Sequence, residues 1–289
     1  MLYKTVMNYL IVDNYNETHS KSILEYIFKK YISGQKSGTI SLDDIYSILT
    51  IENNREEEYS EAELTESDFS DLVRLRAYPQ NPSLNEEYRK ASDAAGKSAV
   101  LQKAYTQGGY IYLNINPSIQ TNYRIQLNTL NNKHSLAVMK TLYEQKVSIH
   151  SAKFYARSPQ CDKPLKVDKV LIYFDQKQLD TVAEILKSVT GLYTLEALPP
   201  FCQLAQTNDR KIYFGMAAEE LPGESSFSLE RSKDVFQYLT GDIENRMNVS
   251  HRIKPGLFLS YDKDPVGFVN SCFDYVKKLI VTIQNWRID

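Results

Sequence analysis

The sequence predicts an α+β protein: a mixed sheet flanked by helices, preceded by a helical N-terminal region. Three observations predict it. Between Gly108 and Tyr173 the pattern runs from strand-like alternation to helical spacing and back to alternation. After Phe174 amphipathic helical segments alternate with one further short strand. Before residue 51 the apolar residues fall at helical spacing, and a strongly acidic run follows.

Taken in order, Ser20 is placed to cap a helix carrying Ile23, Tyr26, Ile27 and Tyr31 on one side, with Gly34 near its end. Ser41 is placed to cap a second, short helix, LDDIYSIL. Residues 52–71 hold nine carboxylates, Glu52 through Asp71, against Arg55, and read as a solvated linker. LVRLRAYP and a polar helical segment up to Tyr105 come next. The boundary is therefore set at residue 75: residues 1–75 form the helical region with its acidic linker, and residues 76–289 the α+β domain.

Gly108 and Gly109 break the chain before YIYLNIN, whose alternation puts Tyr110, Tyr112, Asn114 and Asn116 on one face and Ile111, Leu113 and Ile115 on the other. Pro117 ends it. A helix from about Lys133 to Lys146 places Leu136, Met139, Leu142 and Tyr143 at helical spacing. SIHSAKFY alternates next, with Ile149, Ser151, Lys153 and Tyr155 on one face. A basic loop follows, then the strand KVLIYFD. Asp175 is placed to cap a helix with Leu179, Val182, Ile185, Leu186 and Val189 inward and Gly191 closing it. RKIYFGM reads as a strand, and GESSFSLERSKDVFQYL turns helical with Phe227, Arg231 and Val235 near one stripe. Asp264-Pro265 opens the last helix, which carries Val266, Val269, Phe273, Val276, Leu279, Ile280 and Ile283.

Composition excludes several classes. A net charge of −2 is wrong for a general nucleic-acid binder, so any anion site is local. No apolar run approaches membrane-spanning length, and the N-terminus lacks a basic start followed by a long apolar core. The three cysteines are distant and odd in number, which fits a reducing cytoplasm. The four histidines stand at no metal-binding spacing, and neither a nucleophile elbow nor a phosphate loop occurs. No cofactor or metal is therefore expected. The chain holds 21 tyrosines against one tryptophan, a composition that suits a broad polar groove as well as an ordinary sheet surface.

What stands out chemically is cationic. Lys153 lies inside a strand, Arg157, Lys163 and Lys166 lie just beyond it, and Arg231 lies near the start of a later helix. If they converge they make an anion pocket, in which a lysine beside other cations loses proton affinity and can serve as a base. If they do not, they are surface charges on strand ends and loops.

The order YIYLNI, AKFYAR, KVDKVLIYF, PPFCQLA and FGMAAEELPGESSFSLER resembles the HopA-type effector family, over roughly residues 75–250. Members of that family are type III secreted effectors. Relatives act in class V lanthipeptide and thioamitide biosynthesis beside a kinase-like phosphotransferase, and the fold is similar to that of phosphothreonine lyases. The resemblance implies a phosphothreonine lyase-like sheet and metal-free β-elimination of phosphate from phosphoserine or phosphothreonine in a phosphorylated precursor peptide. It implies Lys153 as the base and Lys166, Arg231 and Tyr173 as phosphate ligands; Arg157, from the cationic group just past the strand, is expected to join them. Tyr112 and Asn114 stand where phosphothreonine lyases carry a Lys/His pair, so no first-strand histidine protonates the leaving group; Tyr112 or solvent would. The alternatives are a non-catalytic partner that binds a leader peptide or the kinase, and a type III effector-like protein.

Overall fold

The computed structural model describes residues 8–51, 63–119, 121–145, 148–218, 226–243 and 247–280. These group into two compact units, one drawn from Met1–Val12, Glu52–Leu198 and Leu204–Met216, the other from Asp13–Ile51, Pro199–Gln203 and Ala217–Asp289. The sequence reading cut the chain at residue 75, in sequence order, whereas these units are assembled from separated stretches.

The first unit is built on an eight-stranded sheet. In chain order its strands are β1 (Tyr9–Asp13), β3 (Tyr78–Pro79), β4 (Gly109–Asn114), β5 (Tyr123–Leu127), β6 (Ser151–Ala156), β7 (Val170–Phe174), β8 (Gln203–Thr207) and β9 (Tyr213–Ala218). In space they run β1-β8-β9-β5-β7-β6-β4-β3. The run from β3 through β4, β6 and β7 to β5 is antiparallel throughout. Its helices are α3 (Glu66–Arg74), α4 (Pro82–Lys90), α5 (Ala94–Gln107), α6 (Asn132–Glu144) and α7 (Leu179–Ser188). α6 packs against β6 and buries Leu136, Met139 and Leu142, as its spacing predicts, while α5 packs against β3 and β4. Gly108, at φ +64°, turns the chain from α5 into β4; a side chain there would meet Cys161 Sγ at 2.9 Å.

The second half of the acidic run is not linker but the helix α3. Thr65 and Asp68 form a capping box, and Phe69 and Leu72 are buried. Two of its carboxylates are matched by lysines of α6: Lys133 pairs with Asp68, and Lys140 with Asp71 at 2.5 Å. A count of charges cannot see such partners at long sequence separation. Residues 52–62 lie outside the described residues.

The second unit contains α1 (Glu17–Tyr31), α2 (Leu42–Thr50), α8 (Phe227–Thr240), α9 (Pro255–Lys263) and α10 (Pro265–Leu279), with β2 (Thr39–Ser41) paired antiparallel to β10 (Ser250–Arg252). α1 packs on α10 and α2 on α8. Phe28 meets Phe268 edge-on with ring centroids 4.8 Å apart, and Phe201 stacks on Phe273 at 5.8 Å. Ser41 caps α2 as expected. Ser20 does not cap α1, which begins three residues earlier. Its hydroxyl bonds back to the carbonyls of Tyr15 and Asn16, while Asp13 accepts from the Glu17 N–H. Asp264 caps α10 through the Gly267 N–H, yet Val266 and Leu279 are exposed rather than inward. Ile283 lies outside the described residues. The three cysteines are free and buried, and no helix among the described residues is long and apolar enough to cross a membrane.

Candidate functional site

Strand alternation gives the sheet two different faces. Ile111, Leu113, Ile125, Leu127, Ala152, Phe154, Val170, Ile172 and Phe174 point one way and are buried. The other face is polar, and the register fixes who meets whom on it. Tyr112 stands opposite Tyr78 on one side and opposite Lys153 on the other; Lys153 stands opposite Leu171, and Leu171 opposite Gln126. In the next row Ser151 lies between Asn114 and Tyr173, and Tyr173 opposes Arg124. Directly opposed side chains in such a ladder have Cβ atoms about 5 Å apart.

Lys153 is held among aromatic rings. Its Nζ lies 4.6 Å from the Tyr110 ring centroid and 5.8 Å from that of Tyr173, and donates to Gln80 Oε1 at 3.4 Å. The Arg124 guanidinium, almost wholly buried, lies 5.5 Å from the same Tyr173 ring. Tyr110 donates its hydroxyl proton to Asp168 Oδ1 at 2.9 Å. Asp168 is buried, and burial raises its pKa above the usual carboxylate value. Lys166, the Tyr110 hydroxyl, Lys153 and Arg124 pull it back down. Three cations therefore act on one common carboxylate.

A second line of contacts runs along β4 and β6. The Tyr112 hydroxyl and Ser151 Oγ lie 2.7 Å apart, and Ser151 Oγ lies 2.7 Å from His150 Nδ1. Asn114 Nδ2 donates to Tyr78 Oη at 3.2 Å. Burial lowers the His150 pKa, which keeps the imidazole largely neutral near pH 7. Tyr78 is raised by burial and by its neighbour Tyr112, so it stays a phenol.

The residues expected from sequence divide accordingly. Lys153, Tyr112, Asn114 and Tyr173 share the polar face, and Lys166 lies two residues before Asp168, whose carboxyl its charge helps hold down. Arg157 turns elsewhere: its Nη2 donates to the Cys161 carbonyl at 2.6 Å and anchors the loop after β6. Lys163 likewise donates to the Gly108 carbonyl, at 2.7 Å. Arg231 belongs to the second unit, where its Nε lies 3.0 Å from Asp234 Oδ2 and its guanidinium 5.1 Å from the Phe227 ring. Of the Gly-Glu-Ser motif before it, Gly223, Glu224 and Ser225 lie outside the described residues. Sequence reasoning missed Arg124, Asp168, Ser151 and His150 as site residues. The alternation R-I-Q-L in Tyr123–Leu127 was the signal for Arg124, once that stretch is recognised as a strand of its own.

The class these features define is an α+β protein with a sheet that is apolar on one face and carries tyrosines and cations on the other. Among solved structures the chain is similar to the effector protein from Pseudomonas syringae pv. syringae strain 61. The TM-score is 0.55 at 14% identity, covering 82% of this chain and 92% of that one. The effector protein from Pseudomonas syringae pv. tomato strain DC3000 matches with a TM-score of 0.49 at 12% identity, covering 76% and 86%. At 14% identity the first likeness is one of fold. No protein-family model and no curated protein matches the sequence.

Proposed function

We propose that the polar face of β4, β6, β7 and β5 is the site of a metal-independent lyase that eliminates phosphate from phosphoserine or phosphothreonine in a peptide. The observation that carries this reading is the placement of Lys153 across from Tyr112, on the face of the sheet where Arg124 also stands and where Tyr110 meets the Asp168 carboxylate. Lys153, in its neutral form, takes the Cα proton. The C–H electron pair becomes the Cα–Cβ double bond, and the Cβ–O bond breaks toward phosphate. Lys166 and Arg124 stabilise the charge growing on the departing group, and Tyr112 gives it a proton. Tyr173 orders both Lys153 and Arg124 against its ring. Asn114 fixes Tyr78 beside Tyr112.

The substrate would be a precursor peptide phosphorylated by a kinase-like partner, giving dehydroamino acids. The fold likeness to an effector protein also supports an effector-like role, in which the substrate is a phosphoprotein. A second, non-catalytic reading, in which the face only binds peptide, is favoured by one feature: the rings beside Lys153 stabilise its charged form, which is not the base.

Incubation with a phosphothreonine peptide separates the readings. The lyase reading expects release of inorganic phosphate by the wild-type protein and none by Lys153→Ala. Binding without release, in both proteins, supports the second reading and sinks the first.

A further inference from the structure

The lyase reading leaves Tyr112 with a problem: a tyrosine that has given up its proton must be reloaded, and the first strand carries no histidine. We propose that His150 and Ser151 are positioning residues that return a proton to Tyr112 along the line His150 Nδ1–Ser151 Oγ–Tyr112 Oη. This inference rests on the lyase reading.

Each contact of the line is 2.7 Å, within ordinary hydrogen-bond distance. Its middle member, Ser151, is fully buried, so water does not compete for the hydroxyl. Its ends are half-buried: Tyr112 faces the polar side next to Lys153, and His150 lies just before β6, where its backbone N–H donates to the Tyr173 carbonyl at 3.0 Å. His150 is thus fixed by the strand that carries Tyr173 as well as by Ser151.

A serine hydroxyl has one proton, so the line is polarised in one direction at a time. When His150 donates from Nδ1, Ser151 donates to Tyr112, and the Tyr112 proton points out to the leaving group. On elimination Tyr112 gives that proton to a phosphate oxygen. The Ser151 proton moves to Tyr112 and the Nδ1 proton moves to Ser151. Solvent protonates Nε2 in the same event, leaving a neutral imidazole with its proton on the other nitrogen. The count balances, with water as the proton source. A neutral imidazole, which burial favours here, is the form that can change tautomer in this way.

The test uses His150→Gln, which keeps a polar group against Ser151 at a half-buried position just before β6. The relay predicts a fall in kcat of about tenfold or more, with KM for a phosphothreonine peptide within twofold of wild type. It also predicts that Tyr112→Phe with His150→Gln is no slower than Tyr112→Phe alone, because groups acting as one unit are non-additive. A wild-type kcat in His150→Gln, or two effects that multiply, overturns it. A wild-type protein that releases no phosphate removes the lyase reading instead. The line is then read by nitrogen NMR of the His150 ring: Tyr112→Phe shifts the Nδ1 resonance if the three groups are joined, and an unmoved resonance overturns the relay on its own.

Discussion

Lys153 and Tyr112 face one another directly across the β4–β6 ladder, on the side of the sheet that also carries Ser151, Tyr173 and Arg124. The proposed elimination depends on that pairing. It sets a potential base and a potential acid on neighbouring strands, about 5 Å apart at Cβ.

Lys153→Ala removes the proposed base and leaves Lys166, Arg124 and Asp168 in place. Elimination from a phosphothreonine peptide should fall by about 10²–10⁴, while peptide binding, followed by fluorescence anisotropy, weakens far less. Loss of binding in proportion to loss of turnover would assign Lys153 to substrate grip alone.

Arg124 has no counterpart among the residues expected from sequence. Arg124→Met keeps the bulk of the buried stem and removes the charge. A charge-assisted contact of roughly 1.5–3 kcal/mol corresponds to a rise in KM of about 10- to 150-fold, with circular dichroism unchanged. An unchanged KM would place the phosphate elsewhere.

An anion bound on this face would compete with Asp168 for the same cations. The carboxyl pKa is raised by burial and held down by Lys166, Tyr110, Lys153 and Arg124. An anion that draws the cations away pushes it further up, so binding takes up a proton and strengthens as pH falls. Sulfate keeps its charge between pH 8 and 5 and serves as the probe. Calorimetry should find tighter binding at the lower pH, and Asp168→Asn should bind sulfate more tightly at pH 8 with a flatter profile. Equal affinity across that range in the wild type would contradict the competition.

Asp68 behaves in the opposite sense. Burial raises its pKa, but the Lys133 ammonium and the Thr65 N–H and hydroxyl outweigh burial and leave it lowered. A lowered carboxylate contributes stability that is fully present above the unfolded value near 4 and is lost as pH falls through the folded value. Urea unfolding of Lys133→Ala should show a loss of roughly 1 kcal/mol at pH 7 and a smaller further loss on acidification than wild type. Parallel acid profiles would remove the Lys133–Asp68 pair from the stability of α3.

The strands β4 and β6 and their faces were legible because alternation is local: Tyr110, Tyr112 and Asn114 on one side of β4, and Ser151 and Lys153 on one side of β6, follow from counting by two. The α7 face was equally plain, since Leu179, Val182, Ile185 and Leu186 are all buried. Relations that depend on register were not. Nothing in the spacing of residues 112, 151 and 153 says that Lys153 and Tyr112 pair while Tyr112 reaches diagonally to Ser151. Asp168 was hidden because a lone carboxylate among basic residues reads as loop solvation until its burial is seen. Arg157 looks like part of the site in sequence because it follows β6 directly, and its bond to the Cys161 carbonyl shows it anchoring the loop. The strand Tyr9–Asp13 escaped the helical reading of the N-terminus, since five residues are too few to establish a period.

The central claim is chemical, and the mass of the product tests it most directly. A phosphothreonine peptide treated with the protein should give a dehydroamino acid peptide, lighter by one water than the dephosphorylated peptide. A product with the mass of the free threonine peptide would make the protein a phosphatase, and recovery of the intact phosphopeptide would leave Lys153 without a proton to take. Either result would contradict the account.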